Sequence, residues 1–251
     1  MENGERRTRA WEDQAVPLSL PGTPGDLRIW CLELDLAAPV PEPALALLDA
    51  AERARMDRYR HRADQVRFGM TRAMLKRLLA SHTGAETAPD AAAIALAHTA
   101  AGRPVWPGSR LHFNVAHSGA LALIAISRLR PVGIDVELRK DLDIDALAAI
   151  VLTPRERQLL GQAPAAVRRD EFYRYWVCKE AALKATGRGI ADALQRVEVR
   201  TDPAASDAHA IHCEDAAMAD RDLLRSLNLR ILPLPGAYAG AVAWASGADA
   251  A

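Results

Sequence analysis

The sequence predicts an α+β chain of two packed α/β subdomains. Three observations predict it. Strand, helix and strand patterns occur once before about residue 130 and again after it. At 251 residues the chain is long enough for one large domain or two modest ones, each with a core of its own. Half of its residues are hydrophobic and a quarter are charged, the balance of an ordinary globular protein. The two halves show no obvious residue-level repeat.

Residues 1–25 are rich in charge, Pro and Gly and read as a loose arm. Leu27 to Leu34 alternates and reads as a first strand. Pro39, Pro41 and Pro43 punctuate the chain before a helical pattern from Leu45 to Arg58. A longer helix follows, with Asp64 as its N-cap, Val66, Met70, Met74 and Leu78 on one side, and an end near Gly84. Residues 85–110 read as irregular. Leu111 to Val115 and Ala120 to Ser127 read as strands joined by the short link Ala116-His117-Ser118-Gly119, and Val132 to Leu138 as a third strand.

Helical periodicity returns at Ile144 to Val151, then from Thr153-Pro154 with Glu156 in capping-box position. Arg168 to Thr186 is a long helix closed by Gly187. Arg196 to Arg200, Leu227 to Leu232 and Tyr238 to Ala245 read as strands around a polar loop at 202–222. The implied division is an arm at 1–25, subdomains at 26–130 and 131–246, and a tail at 247–251.

Lysines plus arginines equal aspartates plus glutamates, at 32 each, so no global field draws the chain to nucleic acid or membrane. Positive charge is nevertheless concentrated between Arg53 and Arg77. That stretch reads either as a solvated face with snorkelling arginines or as an anion site. Cys31, Cys178 and Cys213 form neither a CxxC nor a Cys/His ligand spacing. This argues against a zinc site and a disulfide framework and fits a reducing cytoplasm. Met1 to Arg9 lacks an apolar segment behind it, and no run reaches membrane-spanning length.

Two segments carry chemistry. In Gly133-Ile134-Asp135-Val136-Glu137, two carboxylates lie two residues apart in an apolar run, so a strand would project both from one face. In Trp176-Val177-Cys178-Lys179-Glu180-Ala181-Ala182-Leu183-Lys184, a third carboxylate stands one helical turn before a lysine. A surface salt bridge explains the second pair taken alone, and a solvent-facing strand edge the first. Together, three acids with cations beside them suit a hard divalent ion holding a phosphate-bearing substrate. His117 and Ser118, beside Gly119, could cradle a phosphate. No G-x-S-x-G elbow, P-loop or dinucleotide fingerprint is present.

The ordered set Gly102-Arg103-Pro104, Phe113-Asn114-Val115-Ala116-His117-Ser118, Gly133 to Glu137 and Trp176-x-x-Lys179-Glu180-Ala181-x-x-Lys184 resembles the 4′-phosphopantetheinyl transferases. It is similar to their larger, single-chain class serving peptide and polyketide synthetases, the surfactin-synthetase-activating type. Tyr59-Arg60-His61-Arg62-x-Asp64-x-x-Arg67 and Pro235-Gly236-Ala237-Tyr238 extend the resemblance over residues 27–246.

The resemblance implies that family's fold, a pseudo-dimer of two similar α/β subdomains. It implies transfer of the 4′-phosphopantetheine arm of coenzyme A to a serine of an apo acyl or peptidyl carrier protein, with release of adenosine 3′,5′-bisphosphate. By the same resemblance Asp135, Glu137 and Glu180 hold Mg2+, Glu180 accepts the serine proton, and Lys184 stabilises the phosphoryl oxygens. Arg55, Arg67, Arg103, His117, Ser118, Lys179 and Lys184 contact coenzyme A. The expected protein is a cytoplasmic monomer.

Departures from the pattern are Arg103 for the more usual lysine, Ala116 where serine is frequent, and Cys178 within the helix motif. Leu142 to Leu160 reads either as a carrier-docking patch or as internal packing. The alternatives to the transferase are a non-catalytic coenzyme A-binding or regulatory protein and a Mg2+-dependent pyrophosphate hydrolase.

Overall fold

The computed structural model describes residues 11–84, 88–187, 193–202, 205–213, 215 and 218–246. The first half contains β1 (Ala15–Leu18), β2 (Arg28–Glu33), α1 (Glu42–Leu45), α2 (Ala50–Asp57) and α3 (Arg62–His82). Then come β3 (Ala97–His98), β4 (Pro104–Val105), β5 (His112–Ser118) and β6 (Leu121–Ser127). Its antiparallel sheet has the order β1-β2-β6-β5.

The second half contains β7 (Val132–Leu138), α4 (Ile144–Val151), α5 (Pro154–Gln162), α6 (Ala165–Thr186) and β8 (Glu198–Asp202). It closes with β9 (Ala205–His212), α7 (Arg221–Arg225), β10 (Leu227–Ile231) and β11 (Tyr238–Ala245). Its sheet has the order β7-β11-β10-β9-β8. In both halves the strand that precedes the helices pairs with the strand that ends the half: β2 with β6, and β7 with β11.

The halves also share a device at residue level. Asp49 caps α2 in a capping box with Glu52, and Lys76 on α3 lies 2.8 Å from Glu52 Oε2 while donating to the Leu47 carbonyl. Thr153 caps α5 in a capping box with Glu156, and Lys179 on α6 lies 2.6 Å from Glu156 Oε2 while donating to the Val151 carbonyl. Both lysines are fully buried. A repeat is therefore present: Leu48-Asp49-x-x-Glu52-Arg53 before Lys76, and Leu152-Thr153-x-x-Glu156-Arg157 before Lys179. The apolar residues around it differ, which hid it in the sequence.

A third apolar cluster joins the halves, with Leu123 and Ala125 of β6 against Val132, Ile134 and Val242. Polar bonds reinforce the seam. Ile134 N donates to Asn114 Oδ1 at 3.0 Å, and Ala120 N donates to the Tyr238 hydroxyl at 2.9 Å.

Five sequence expectations need correcting. The stretch from Leu45 to Arg58 is two helices, because Asp49 leaves the helical path to cap α2. Asp64 is no N-cap; it lies inside the first turn of α3 and pairs with Arg67. The link between β5 and β6 is only Gly119-Ala120, so His117 and Ser118 belong to the strand. The span 202–222 holds β9 and α7, and β9 pairs with β8 and β10. The expected arm is ordered where described: Trp11 is buried and β1 pairs with β2. Residues 1–10 and 247–251 of the expected arm and tail lie outside the described residues.

Candidate functional site

The site lies where α6 rests on β7 and β5 adjoins both. Gly133 permits the contact. A Cβ there would stand 2.0 Å from the Ala181 carbonyl oxygen and 2.4 Å from Ala185 N, closer than any side chain tolerates. Because strand side chains alternate, Asp135 and Glu137 leave the same face as Gly133, toward α6. From that helix Glu180 and Lys184, one turn apart, point back. Gly187 closes α6 in the left-handed region, at φ 77°.

Lys184 Nζ is 2.5 Å from Asp135 Oδ1 and 3.3 Å from Glu180 Oε2. Glu180 Oε1 accepts from the indole N–H of Trp176 at 2.7 Å. Glu137 Oε2 accepts from the Ser118 hydroxyl at 2.8 Å. Asp135 and Glu137 thus have one oxygen each held by a protein donor, and Glu180 has both. Asp135 Oδ2 is buried with no hydrogen-bond partner.

Three carboxylates gather about one ammonium. Burial pushes the Asp135 carboxyl up to about 7 against the pull of Lys184, with Glu180 and Glu137 adding repulsion. Burial also raises Glu137, opposed by its bond from Ser118. For Lys184, burial works downward, but Asp135 and Glu180 together hold it above its ordinary value.

The donor set fits a hard divalent cation: three carboxylates, one with an unsatisfied buried oxygen. Among the described residues, however, no three acids already stand in a ligating arrangement. Lys184 lies between two of them, Asp135 and Glu180.

Beside the acids opens a cleft of about 300 Å³. Lys184, His117 and Arg103 line it, as do Arg55, Arg72 and His98. The last three form a cluster: His98 Nε2 lies 3.2 Å from Arg55 and 3.5 Å from Arg72, and both guanidiniums lie over the Phe68 ring. Arg72 is anchored beneath by Glu52 at 3.1 Å. The Thr71 hydroxyl, also in the cleft wall, is buried without a partner. The His117 ring reaches solvent, yet the surrounding walls depress its pKa, helped by the Arg67 and Lys184 charges.

The structure brings Asp135, Glu137, Glu180, Lys184, His117 and Arg55 to this region and revises four expected coenzyme A contacts. Lys179 is fully buried and donates to Glu156, Val151 O and Leu194 O; it cannot reach a phosphate without breaking that network. The Ser118 hydroxyl is spent on Glu137 and on Leu138 N. Arg103 lines the cleft, but its terminal nitrogens donate to Lys184 O and Phe113 O, tying the halves together. Arg67 donates to Gly119 O at 2.7 Å and pairs with Asp64, holding the turn after His117 and Ser118 rather than lining the cleft.

Sequence reasoning missed Arg72, His98 and the indole N–H of Trp176. Arg72 was legible only as a member of the basic stretch, and Trp176 only as the first residue of the helix motif. His98 had no local signal.

Residues 131–232 match the 4′-phosphopantetheinyl transferase superfamily, and residues 41–129 match the N-terminal region of 4′-phosphopantetheinyl transferases. The 4′-phosphopantetheinyl transferase HetI of Nostoc sp. is 34% identical over 71% of this chain and 75% of its own. A 4′-phosphopantetheinyl transferase of Bacillus subtilis is 28% identical over 69% and 76%. A solved holo-(acyl-carrier-protein) synthase of Bacillus anthracis, in complex with coenzyme A (3′,5′-ADP), aligns with 48% of this chain and 99% of its own, at 18% identity and a TM-score of 0.36. With relatives matching across both halves, and the acids of β7 and α6 inside the matched region, the chain belongs to the 4′-phosphopantetheinyl transferase family.

Proposed function

We propose that this enzyme moves the 4′-phosphopantetheine arm of coenzyme A onto a serine of apo acyl or peptidyl carrier domains of peptide or polyketide synthetases, with Mg2+ at Asp135, Glu137 and Glu180. The observation that carries this reading is the asymmetry of charge: an acid-rich centre directly beside a cation-rich cleft. A pyrophosphate diester needs both. The cleft would hold its anionic groups, and Asp135, Glu137 and Glu180 would hold the counter-cation.

In the reaction a bond forms between the serine Oγ and the phosphorus that carries the pantetheine arm. The P–O bond to adenosine 3′,5′-bisphosphate breaks. Asp135, Glu137 and Glu180 would hold a divalent ion, which would supply neutralisation of the charge that develops on the pyrophosphate. Arg55, Arg72 and His98 bind the 3′-phosphate, where two guanidinium forks and an imidazole suit a phosphate dianion. His117 and Lys184 bind nearer the reacting phosphate, and Lys184 stabilises its non-bridging oxygens. Glu180 receives the serine proton through Oε2, which faces Lys184 while the indole of Trp176 holds Oε1.

The carrier surface is read at Leu142 to Leu160, where Leu142 before α4, Ile150 and Leu159 are exposed while Val151, Leu152 and Leu160 are buried. We also read the chain as a cytoplasmic monomer: both halves of the site come from one chain, and its three cysteines are free. Among the described residues no helix is long and apolar enough to cross a membrane.

The test is intact-mass measurement of an apo carrier domain incubated with the enzyme, coenzyme A and magnesium. The expected result is a gain of one phosphopantetheine, abolished by chelator and by Asp135→Ala. No gain across several acyl and peptidyl carriers would favour a coenzyme A-binding protein instead. Bisphosphate released without any carrier would favour a hydrolase.

A further inference from the structure

The ammonium of Lys184 stands where the Asp135 and Glu180 carboxylates meet. It lies 2.5 Å from Asp135 Oδ1 and 3.3 Å from Glu180 Oε2. The remaining anchors are already in place: Ser118 holds Glu137, and Trp176 holds Glu180. Asp135 Oδ2 remains a buried acceptor with nothing to accept from. Lys184 also lines the cationic cleft, and its side chain keeps about a fifth of its surface exposed (21%). It is a flexible four-carbon stem ending in a compact charge, so it can turn from the acids to the cleft without moving α6.

We propose that Lys184 and a divalent ion are alternative occupants of the Asp135–Glu180 pair. In the free enzyme the ammonium is the resident counter-charge. A divalent ion takes the pair by displacing it, and the displaced ammonium turns into the cleft, where a substrate phosphate receives it. The inference rests on the metal reading given above and adds an order to it. The ion competes with an internal cation and binds weakly alone. An anion in the cleft removes the competitor and tightens the site. By reciprocity the ion tightens coenzyme A by the same factor.

Removing the ammonium should therefore strengthen metal binding in the absence of coenzyme A, although the same change damages transfer. Two carboxylates would be left without a counter-charge, and the ion would meet no rival. A simple catalytic or structural role for Lys184 gives the opposite expectation, with metal affinity unchanged or lower.

The experiment is a Mn2+ titration of the full chain, with free ion followed by electron paramagnetic resonance, with and without coenzyme A. Lys184→Met and Lys184→Gln should bind Mn2+ about tenfold or more tightly than wild type without coenzyme A, a difference near 1.4 kcal/mol per tenfold. The tightening produced by coenzyme A should be smaller in both variants. Equal or weaker Mn2+ binding by folded variants overturns the proposal. Asp135→Asn binding Mn2+ as well as wild type would instead overturn the metal reading itself.

Should both lysine variants fail to fold, acylation of Lys184 in the wild-type protein decides the question. Mn2+ alone should raise its labelling several-fold. Unchanged or lower labelling contradicts displacement.

Discussion

Lys179 and Lys184 lie five residues apart on α6 and share a motif, yet they sit in opposite electrostatic settings. Lys179 is fully buried against a single carboxylate, Glu156, and its other bonds go to the Val151 and Leu194 carbonyls. Glu156 is equally satisfied, accepting from Thr153 N and Val199 N. Lys184 meets two carboxylates, with a third nearby and one buried oxygen unpaired. A balanced, closed network joins α5, α6 and β8. An unbalanced, open one awaits another charge.

The first half sharpens the point. Glu52 and Lys76 reproduce the buried staple, with Arg72 as a second cation on Glu52, but the residue after Lys76 is Arg77, where the residue after Lys179 is Glu180. Both halves keep the same staple, and only the second adds acids to it. The difference teaches that a buried lysine in a charged motif is read by the balance of its partners, not by its place in the motif.

The largest effect that tests the comparison is on folding. Breaking one partner of a buried pair typically costs about 3–5 kcal/mol, because the other charge is left without compensation. Lys179→Met should lose stability of that order in denaturant unfolding, and Lys76→Met should lose less, because Arg72 still faces Glu52 in the first half. Transfer per folded molecule should change little. A Lys179→Met enzyme of wild-type stability with a raised KM for coenzyme A would make Lys179 a phosphate ligand after all, and the contrast would collapse.

A middle-sized effect concerns how the open network is held. Trp176 stacks on Tyr173 and meets Phe172 edge-on, so its ring is a packing element. Its indole N–H, however, is spent on Glu180. Trp176→Phe keeps an aromatic ring and removes the donor. Loss of a partner that orients a metal ligand commonly costs 10–100-fold in metal affinity or activity. We expect a fall of about tenfold in kcat and in Mn2+ affinity, with unfolding free energy changed by about 1 kcal/mol or less. If stability drops and Mn2+ affinity does not, the indole is only packing.

Much of the site was legible because the strand and helix that build it have clear signals. β7 runs from Val132 to Leu138 as the apolar run implied, and α6 ends at Gly187 as its glycine implied. Asp135 and Glu137 share a face by strand alternation alone. Lys179 misled because depth is not encoded locally. Its partner Glu156 stands 23 residues earlier, and the Glu180–Lys184 spacing looked equally good on a surface helix. Ser118 misled because the turn is two residues rather than four, which places its hydroxyl against β7 instead of in a loop. The cationic end of the cleft was least legible. Arg55, Arg72 and His98 come from α2, α3 and β3, and only tertiary packing over Phe68 assembles them.

That cluster gives the smallest prediction and the one that separates the two ends of the site. The His98 pKa is depressed by burial first and then by Arg72 and Arg55, with Glu52 opposing. In the free enzyme its imidazole is therefore neutral near pH 7. A phosphate dianion bound between the same cations attracts a proton and raises that pKa. When the bound pKa exceeds the free one, binding takes up a proton, and affinity rises as pH falls through the bound value toward the free one. Coenzyme A should thus bind more tightly at about pH 6 than at about pH 8, and calorimetry in buffers of different ionisation heat should record the uptake. His117 is also depressed and contributes its own share, so the decisive quantity is the difference between wild type and His98→Gln. The variant should bind coenzyme A a few-fold more weakly at pH 6, with a shallower pH dependence and less proton uptake. It should leave Mn2+ affinity in the absence of coenzyme A untouched, because His98 contacts the arginines and none of the acids that face Lys184. Equal slopes in the two proteins would remove His98 from the phosphate cluster and leave Arg55 and Arg72 to hold it alone.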